Sequence, residues 1–405
     1  MEKRMMRDEH MEKRKIALKN ATVLYEDRLI EHGAVEIDHG FISFVGKANK
    51  YTPTKDVNEI DFPESYFIVP GFIDLHIHGV FGADVMDGTQ KALKTIATAL
   101  PREGTTSFLA TTMTSGKTQI DRALKNISAF RELKRTEGAE LLGVHLEGPF
   151  LSKAKAGAQP KNDIIKPNIE LLKHWQQLAQ GSIRLVTLAP EEEGGLELVR
   201  FLQDSGIVAS IGHSNATYDE AAKAIANGIT HCTHLFNGMT GLHHREPGIV
   251  GAALLHDRVR CELIVDGVHI RPEVVNLVFR TKGKSGIVLV TDSIRGKCLN
   301  AGTFELAGQS VTVDGKKAVL HDGTLAGSIL RMIDAVKLMI DFTRCDFTEA
   351  IQMATETPAK QIGIFHRKGS IAVGKDADIV VLNGQLDVVM TICRGHIAFQ
   401  KVGNE

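Results

Sequence analysis

Cysteine is scarce in this chain, and what little there is excludes a disulfide-built fold. The five cysteines among 405 residues (Cys232, Cys261, Cys298, Cys345 and Cys393) are scattered, odd in number and never spaced Cys-X-X-Cys. That pattern argues for reduced thiols and a cytoplasmic setting. An excess of one charge sign is also missing. Lys and Arg number 48 against 49 Asp and Glu, for a net charge of -1. Such a balance offers no nucleic-acid or membrane surface. No apolar run is long enough to span a bilayer. The segment Met1 to Lys15 is charged and has no apolar signal-peptide core. Residues 1–14 therefore read as a charged, disordered extension, with Met11 as an alternative start to Met1.

What remains is ordinary globular composition, 43% hydrophobic and 24% charged. The length suits one large α/β domain with a smaller one. Three zones are visible. Short strand-like segments fill residues 15–69: Lys15 to Leu18, Ala34 to Ile37 and Phe41 to Val45, with Gly33 and His39-Gly40 as punctuation. Strands return from Gly369 onward, as Ala377 to Leu382 and Val388 to Ile392. The two β-rich ends, 15–69 and 369–405, are expected to join as one small β-sandwich domain split in sequence by the middle.

The middle, residues 70–368, holds eight apolar runs that end in polar residues. They are Phe67 to His78, Thr105 to Thr112, Leu141 to Glu147, Ile183 to Leu188, Val208 to His213, His231 to Phe236, Leu263 to Asp266 and Ile287 to Asp292. Helical stretches separate most of them. One covers Ala221 to Gly228 behind a capping box at Thr217 to Glu220; another begins at Arg271-Pro272. Eight strands alternating with helices predict a (β/α)8 TIM-like barrel, whose chemistry sits at the C-terminal strand ends.

The strand ends carry the chemistry that rule requires. The first run closes with His76-Ile77-His78, and a strand's period of two aims both imidazoles one way. The third ends His145-Leu146-Glu147, the fifth at His213, the sixth carries His231-Cys232-Thr233-His234, and the eighth ends Thr291-Asp292. Imidazoles with carboxylates suit zinc, iron, manganese or cobalt better than calcium. His76, His78, Glu147, His213, His234 and Asp292 are thus candidate ligands for one or two divalent ions. A metal lowers the pKa of water toward ~7, and a carboxylate beside it can take and return the proton. Asp292 has the position of that base, although Thr-Asp-Ser also suits a helix N-cap.

Several motifs carry a resemblance. Pro70-Gly71-Phe72-Ile73-Asp74-Leu75-His76-Ile77-His78-Gly79 with the later Asp292 resembles the amidohydrolase superfamily. Within it, His145-Leu146-Glu147-Gly148-Pro149-Phe150, Gly212-His213-Ser214-Asn215-Ala216, Thr233 to Met239, Arg245-Glu246-Pro247-Gly248 and Asp266-Gly267-Val268-His269 resemble the N-acetylglucosamine-6-phosphate deacetylases. The resemblance runs from about residue 15 to residue 400. It implies hydrolysis of the sugar-phosphate acetamide, with Asp292 as general base and later acid. It implies a main metal at Glu147, His213 and His234, and Glu147 bridging to a second at His76 and His78. His269 would hold the substrate carbonyl. Ala158, Gln159, Asn237, Gly238, His244, Arg245, Leu325, Ala326 and Gly327 would contact substrate. Arg245 would reach the phosphate of a neighbouring active site in a homodimer, where its planar fork suits a phosphate. The chain departs from some members at Gln159, which stands where they have His.

No lysine ends the fourth run, Thr187-Leu188-Ala189-Pro190, which disfavours the branches bridged by a carbamylated lysine. Residues 295–327 form a long excursion containing a hairpin, Val311 to Leu320, that reads either as a lid or as a surface hairpin. Two rival functions stand beside the deacetylase. One is a sibling acting on the galactosamine epimer; the other is a non-enzymatic assembly protein on the same scaffold, which retained ligands disfavour.

Overall fold

The computed structural model describes residues 15–53, 56–133 and 137–401. The expected extension, residues 1–14, and both candidate start sites lie outside them. Eight parallel strands form the centre: β1 (Phe72–Ile77), β2 (Thr105–Thr112), β3 (Glu140–Glu147), β4 (Ile183–Leu188), β5 (Val208–Ile211), β6 (Ile229–Cys232), β7 (Arg260–Leu263) and β8 (Ile287–Leu289). Each pairs with its sequence neighbour. The ring closes between β8 and β1 through the parallel bridge Ile77–Ser293 and an Asp292 N–H donating to the His76 carbonyl at 2.8 Å.

Strands of such a barrel are covered on both faces, so they lose the apolar–polar alternation of a half-exposed strand. β2 illustrates this: all eight residues are buried, including its threonines. Most surrounding helices bury one stripe, while Gly248–Leu255 is buried all round except at Leu255. In the helix Lys117–Glu132 that stripe is Ile120, Leu124 and Ile127, spaced at one helical turn. The expected capping box forms at Thr217 and Glu220, ahead of the helix Tyr218–Ala226. Pro272 opens the helix Pro272–Lys282, where its missing N–H costs nothing.

The chain ends build the small sandwich. One sheet contains Lys15–Lys19, Gly33–Asp38, Phe41–Lys47 and Val57–Asp61. The other mixes N- and C-terminal strands: Thr22–Tyr25, Arg28–Ile30, Phe67–Pro70, Ile379–Leu382, Val388–Cys393 and His396–Gln400. Ile16, Leu18, Val35 and Ile37 of the first face Ile68, Ile379, Val381 and Met390 of the second in one core. An ion cluster joins this sandwich to the barrel. Arg367 grips Glu140 of β3 with two hydrogen bonds of 2.7 and 3.1 Å and also bonds Asp376 at 2.7 Å. The buried Lys368 pairs with Glu140, Asp376 and Asp378, and the Arg394 backbone N–H donates to Asp378.

Several strand boundaries differ from expectation: the fifth and eighth strands end at Ile211 and Leu289, short of His213 and Asp292, and three further differences are larger. The first run is two strands. Phe67–Pro70 pairs with Ile379–Leu382 in the sandwich, and only Phe72–Ile77 enters the barrel. Gly71 makes the break, where a Cβ would lie 2.1 Å from Thr106 Oγ1. The sixth strand ends at Cys232, so Thr233 to Phe236 turn away from it, with left-handed backbone at His234 and Phe236. The seventh is Arg260–Leu263, three residues before the expected start. An apolar-run criterion skips it because Arg260 and the fully buried Glu262 interrupt the pattern. The excursion after β8 is a three-stranded antiparallel sheet, Gly302–Leu306, Gln309–Val313 and Ala318–Leu320. Its apolar face packs on Met113, Ile294 and Ala326.

Candidate metal centre

The C-terminal strand ends converge on a cavity of about 270 Å³. β1 aims His76 and His78 inward, as its period of two requires. Their Nε2 atoms lie 3.4 and 3.2 Å from Asp292 Oδ1. The same two atoms lie 3.6 and 3.3 Å from Glu147 Oε2. The other Glu147 oxygen, Oε1, lies 3.1 Å from His213 Nε2 and 3.2 Å from His234 Nε2, and those two nitrogens are 3.1 Å apart. Glu147 thus stands between two groups, turning one oxygen to each.

Backbone conformation produces this convergence. His213, His234 and Asp292 all have positive φ, at 48°, 30° and 47°. Non-glycine residues adopt this region at a cost of order 1–3 kcal/mol, and such strain collects at functional sites. Here it swings each side chain off its strand axis into the barrel mouth. Space is made by glycine: at Gly238 (φ +60°) a Cβ would sit 2.9 Å from His213 Nδ1.

The electrostatics favour a cation. Glu147 and Asp292 are buried with only histidines as ion partners among the described residues. Burial alone would push His78 down, but Asp292 and Glu147 more than reverse this and raise it to about 9. The same carboxylates raise His76 against its burial. Burial works against ionising Glu147, yet the ring of imidazoles holds it well below the usual carboxylate range. His76 Nε2 and Glu147 Oε2 are buried with no hydrogen-bond partner. Buried polar atoms without partners are rare in native structures and call for a ligand. Nitrogen and carboxylate atoms 3.1–3.6 Å apart have the spacing expected between donors of one ion whose bonds measure about 2.0–2.2 Å. His76, His78, Asp292 and Glu147 fit one divalent ion, and Glu147, His213 and His234 another. Zinc, iron, manganese and cobalt all match this donor set.

A second layer lies beneath. Glu262 Oε2 is 2.9 Å from His76 Nδ1, and Oε1 is 3.0 Å from His231 Nε2. Burial would raise this carboxyl, but His76 and His231 hold it well below the usual range. Asp74 accepts from Thr291 Oγ1 at 2.6 Å, and burial raises it to about 6. His145, another strand-end candidate, faces this lower layer: it bonds Thr187 at 2.7 Å, and burial lowers it to about 3. It also lies near His76 and Glu262, but its Nε2 and the His76 Nδ1 already have partners.

The expected substrate residues divide. Ala158, Gln159, Asn237, Gly238, His269, Leu325 and Gly327 line the cavity with His78, Glu147, His213, His234 and Asp292. His269 Nδ1 is 2.7 Å from Asp266 Oδ2, a bond that helps hold Asp266 below its usual range against burial. Gln159 is already committed in part, since its Oε1 accepts from the Thr114 N–H at 2.9 Å. Ala326 is fully buried under the three-stranded sheet and does not reach the cavity wall. His244 and Arg245 are exposed on the 240–247 loop, bonded to each other at 2.8 Å, and do not line the cavity.

Glu262 and the Asp266 partnership of His269 escaped the sequence reading. A signal existed for Glu262, as a lone carboxylate inside Cys261-Glu262-Leu263-Ile264-Val265. Charge in an otherwise apolar strand marks a buried partner nearby.

Known proteins extend this picture. The Amidohydrolase family profile matches residues 67–398. The N-acetylglucosamine-6-phosphate deacetylase of Bacillus subtilis is 47% identical over 95% of this chain and 97% of its own length. The N-acetylgalactosamine-6-phosphate deacetylase of Escherichia coli O157:H7 is 38% identical over 83% of this chain and 88% of its own. The crystal structure of N-acetylglucosamine-6-phosphate deacetylase from Pasteurella multocida superposes with a TM-score of 0.89 at 30% identity, covering 95% of this chain and 99% of that one. With the barrel, its strand-end ligands and these relatives in agreement, the chain belongs to the amidohydrolase family.

Proposed function

We propose that the protein hydrolyses the acetamide of N-acetyl-D-glucosamine 6-phosphate, giving D-glucosamine 6-phosphate and acetate. The observation that carries this reading is one cavity presenting Asp292, His269 and the Glu147-centred ligand pair together. The 47% identity to the Bacillus subtilis deacetylase supports the substrate.

His76, His78, Glu147, His213, His234 and Asp292 would hold one or two divalent ions. When bound, such an ion supplies Lewis acidity and makes water a nucleophile at neutral pH. Asp292 then takes the proton of the attacking water and later delivers it to the departing amine. Its carboxyl lies below its usual range, because His76 and His78 outweigh its burial, so it is ionised and ready to accept. Asp266 Oδ2 lies 2.7 Å from His269 Nδ1 and can only accept there, so Nε2 would be the atom turned to the substrate carbonyl. There His269 would stabilise the developing oxyanion, with Asp266 holding the ring in place.

Among the described residues, the cavity wall contains no lysine or arginine, so these residues offer a phosphate no fixed side-chain cation there. We assign that part to Arg245 of a second copy in a homodimer. Arg245 is exposed, with exposed apolar Leu242 and Leu255 near it along the chain. Ala158, Gln159, Asn237, Gly238, Leu325 and Gly327 would shape the sugar site, with His244 beside Arg245 and Ala326 acting from below. The five free cysteines support a cytoplasmic location. Residues 70–368 would be the catalytic domain and 15–69 with 369–405 the sandwich.

The test is acetate release from N-acetylglucosamine 6-phosphate by metal-loaded protein, with the galactosamine epimer in parallel. Turnover that falls about 10²–10⁴-fold in Asp292→Asn supports substrate and base together. Preference for the epimer would move the assignment to the reaction named for the Escherichia coli relative. No turnover on either sugar from folded, metal-bound protein would overturn it.

A further inference from the structure

Both candidate metal positions rest on one buried carboxylate that coordinates neither. Glu262 is completely inaccessible and comes from β7, at the centre of the barrel. Three donors converge on it. His76 Nδ1 lies 2.9 Å from Oε2, and the His234 backbone N–H donates to the same oxygen at 3.1 Å. His231 Nε2 lies 3.0 Å from Oε1. The Leu235 N–H also donates to the Glu262 carbonyl at 3.0 Å, so the turn carrying His234 is fastened to β7 twice.

A carboxylate at that place can only accept, so His76 must carry its proton on Nδ1. Its Nε2 is then left with a free lone pair, aimed between Glu147 and Asp292. On the other side, His234 has a left-handed backbone (φ 30°) that needs support to persist. The bond from its N–H to Glu262 supplies that support. One oxygen therefore fixes the ring of a ligand at one position and the backbone of a ligand at the other.

We infer that Glu262 is a positioning residue that sets ligand geometry at both candidate metal positions. This rests on the two-position reading given above. Partners of this kind are worth about 10–100-fold in metal affinity when removed. The position built on His76 should suffer more, because there Glu262 fixes a tautomer as well as a direction.

The test is a Co²⁺ titration of chelator-stripped protein, followed by visible absorption, in wild type, Glu262→Gln and Glu262→Ala. Wild type is expected to take two equivalents. Glu262→Ala should keep one and bind the other about 100-fold more weakly. Glu262→Gln keeps acceptor and shape but loses charge, and should fall between, at about 10-fold. In steady-state assays kcat should fall with little change in KM. If Glu262→Ala does not fold, Glu262→Gln alone decides. Two equivalents bound by folded variants as tightly as by wild type would overturn the inference and leave Glu262 a core residue. Fewer than two in wild type would instead overturn the two-position reading, and this inference with it.

Discussion

Two clusters of charge, one partly and one almost wholly buried, occupy opposite ends of the barrel, and they are built by opposite rules. At the sandwich junction, three cations (Arg367, Lys368 and Arg394) face three carboxylates (Glu140, Asp376 and Asp378). Positive and negative charges match there. At the barrel mouth, Glu147 and Asp292 meet only imidazoles, and one Glu147 oxygen has no hydrogen bond. A charge-balanced network is a joint. One whose carboxylates meet only imidazoles is a candidate cation site. Balance of charge distinguishes the two.

Single substitutions should separate the clusters by what they damage. Glu147→Gln removes charge from the carboxylate that stands between the two candidate metal positions. Metal catalysis supplies several kcal/mol, so activity should fall roughly a thousandfold. Glu140→Ala should leave turnover per folded molecule intact. It removes one carboxylate from Arg367 and Lys368, which keep Asp376 and Asp378, and costs about 3 kcal/mol in urea unfolding. If both variants lose turnover per folded molecule alike, the distinction fails.

Acid sharpens the same contrast. Burial alone would raise the Glu140 carboxyl, but Lys368 and Arg367 lower it to about 2, from an ordinary 4.5. A depressed carboxylate contributes its stability above the unfolded value and loses it as pH falls toward the folded one. The Glu140 contribution is thus complete above about pH 4.5 and gone near pH 2, worth about 3 kcal/mol. The stability gap between wild type and Glu140→Gln should narrow across that window. A constant gap would show that the ion pairs are not its source.

The smallest effect is expected at the three-stranded sheet beside the cavity. Gln309 Nε2 donates to the Ala158 carbonyl at 2.7 Å, tying the three-stranded sheet to the cavity wall. One such bond is worth about 1 kcal/mol, so Gln309→Ala should raise KM about fivefold with kcat nearly unchanged. An unchanged KM would return that sheet to the status of a surface hairpin.

Much of this was legible in the sequence. Buried parallel strands ending in His, Glu and Asp announce themselves, because apolar runs and chemically typed ends coincide. His76, His78, Glu147, His213, His234 and Asp292 were all reachable that way. The seventh strand was misplaced because Glu262 breaks the apolar run that periodicity seeks. The role of Glu262 is invisible along the chain, since its partners His76 and His231 lie 186 and 31 residues away. The first run read as one strand because nothing local to Gly71 says that Thr106 leaves no room for a Cβ. Arg245 shows the opposite limit: only the family resemblance singled it out, and within one chain it stands apart from the cavity.

The most direct measurement is anomalous diffraction from crystals of the metal-loaded protein. This account predicts a peak among Glu147, His213 and His234, and a second among His76, His78, Asp292 and the other oxygen of Glu147. No metal peak at either position, with these side chains bonded only to one another and to water, would contradict it.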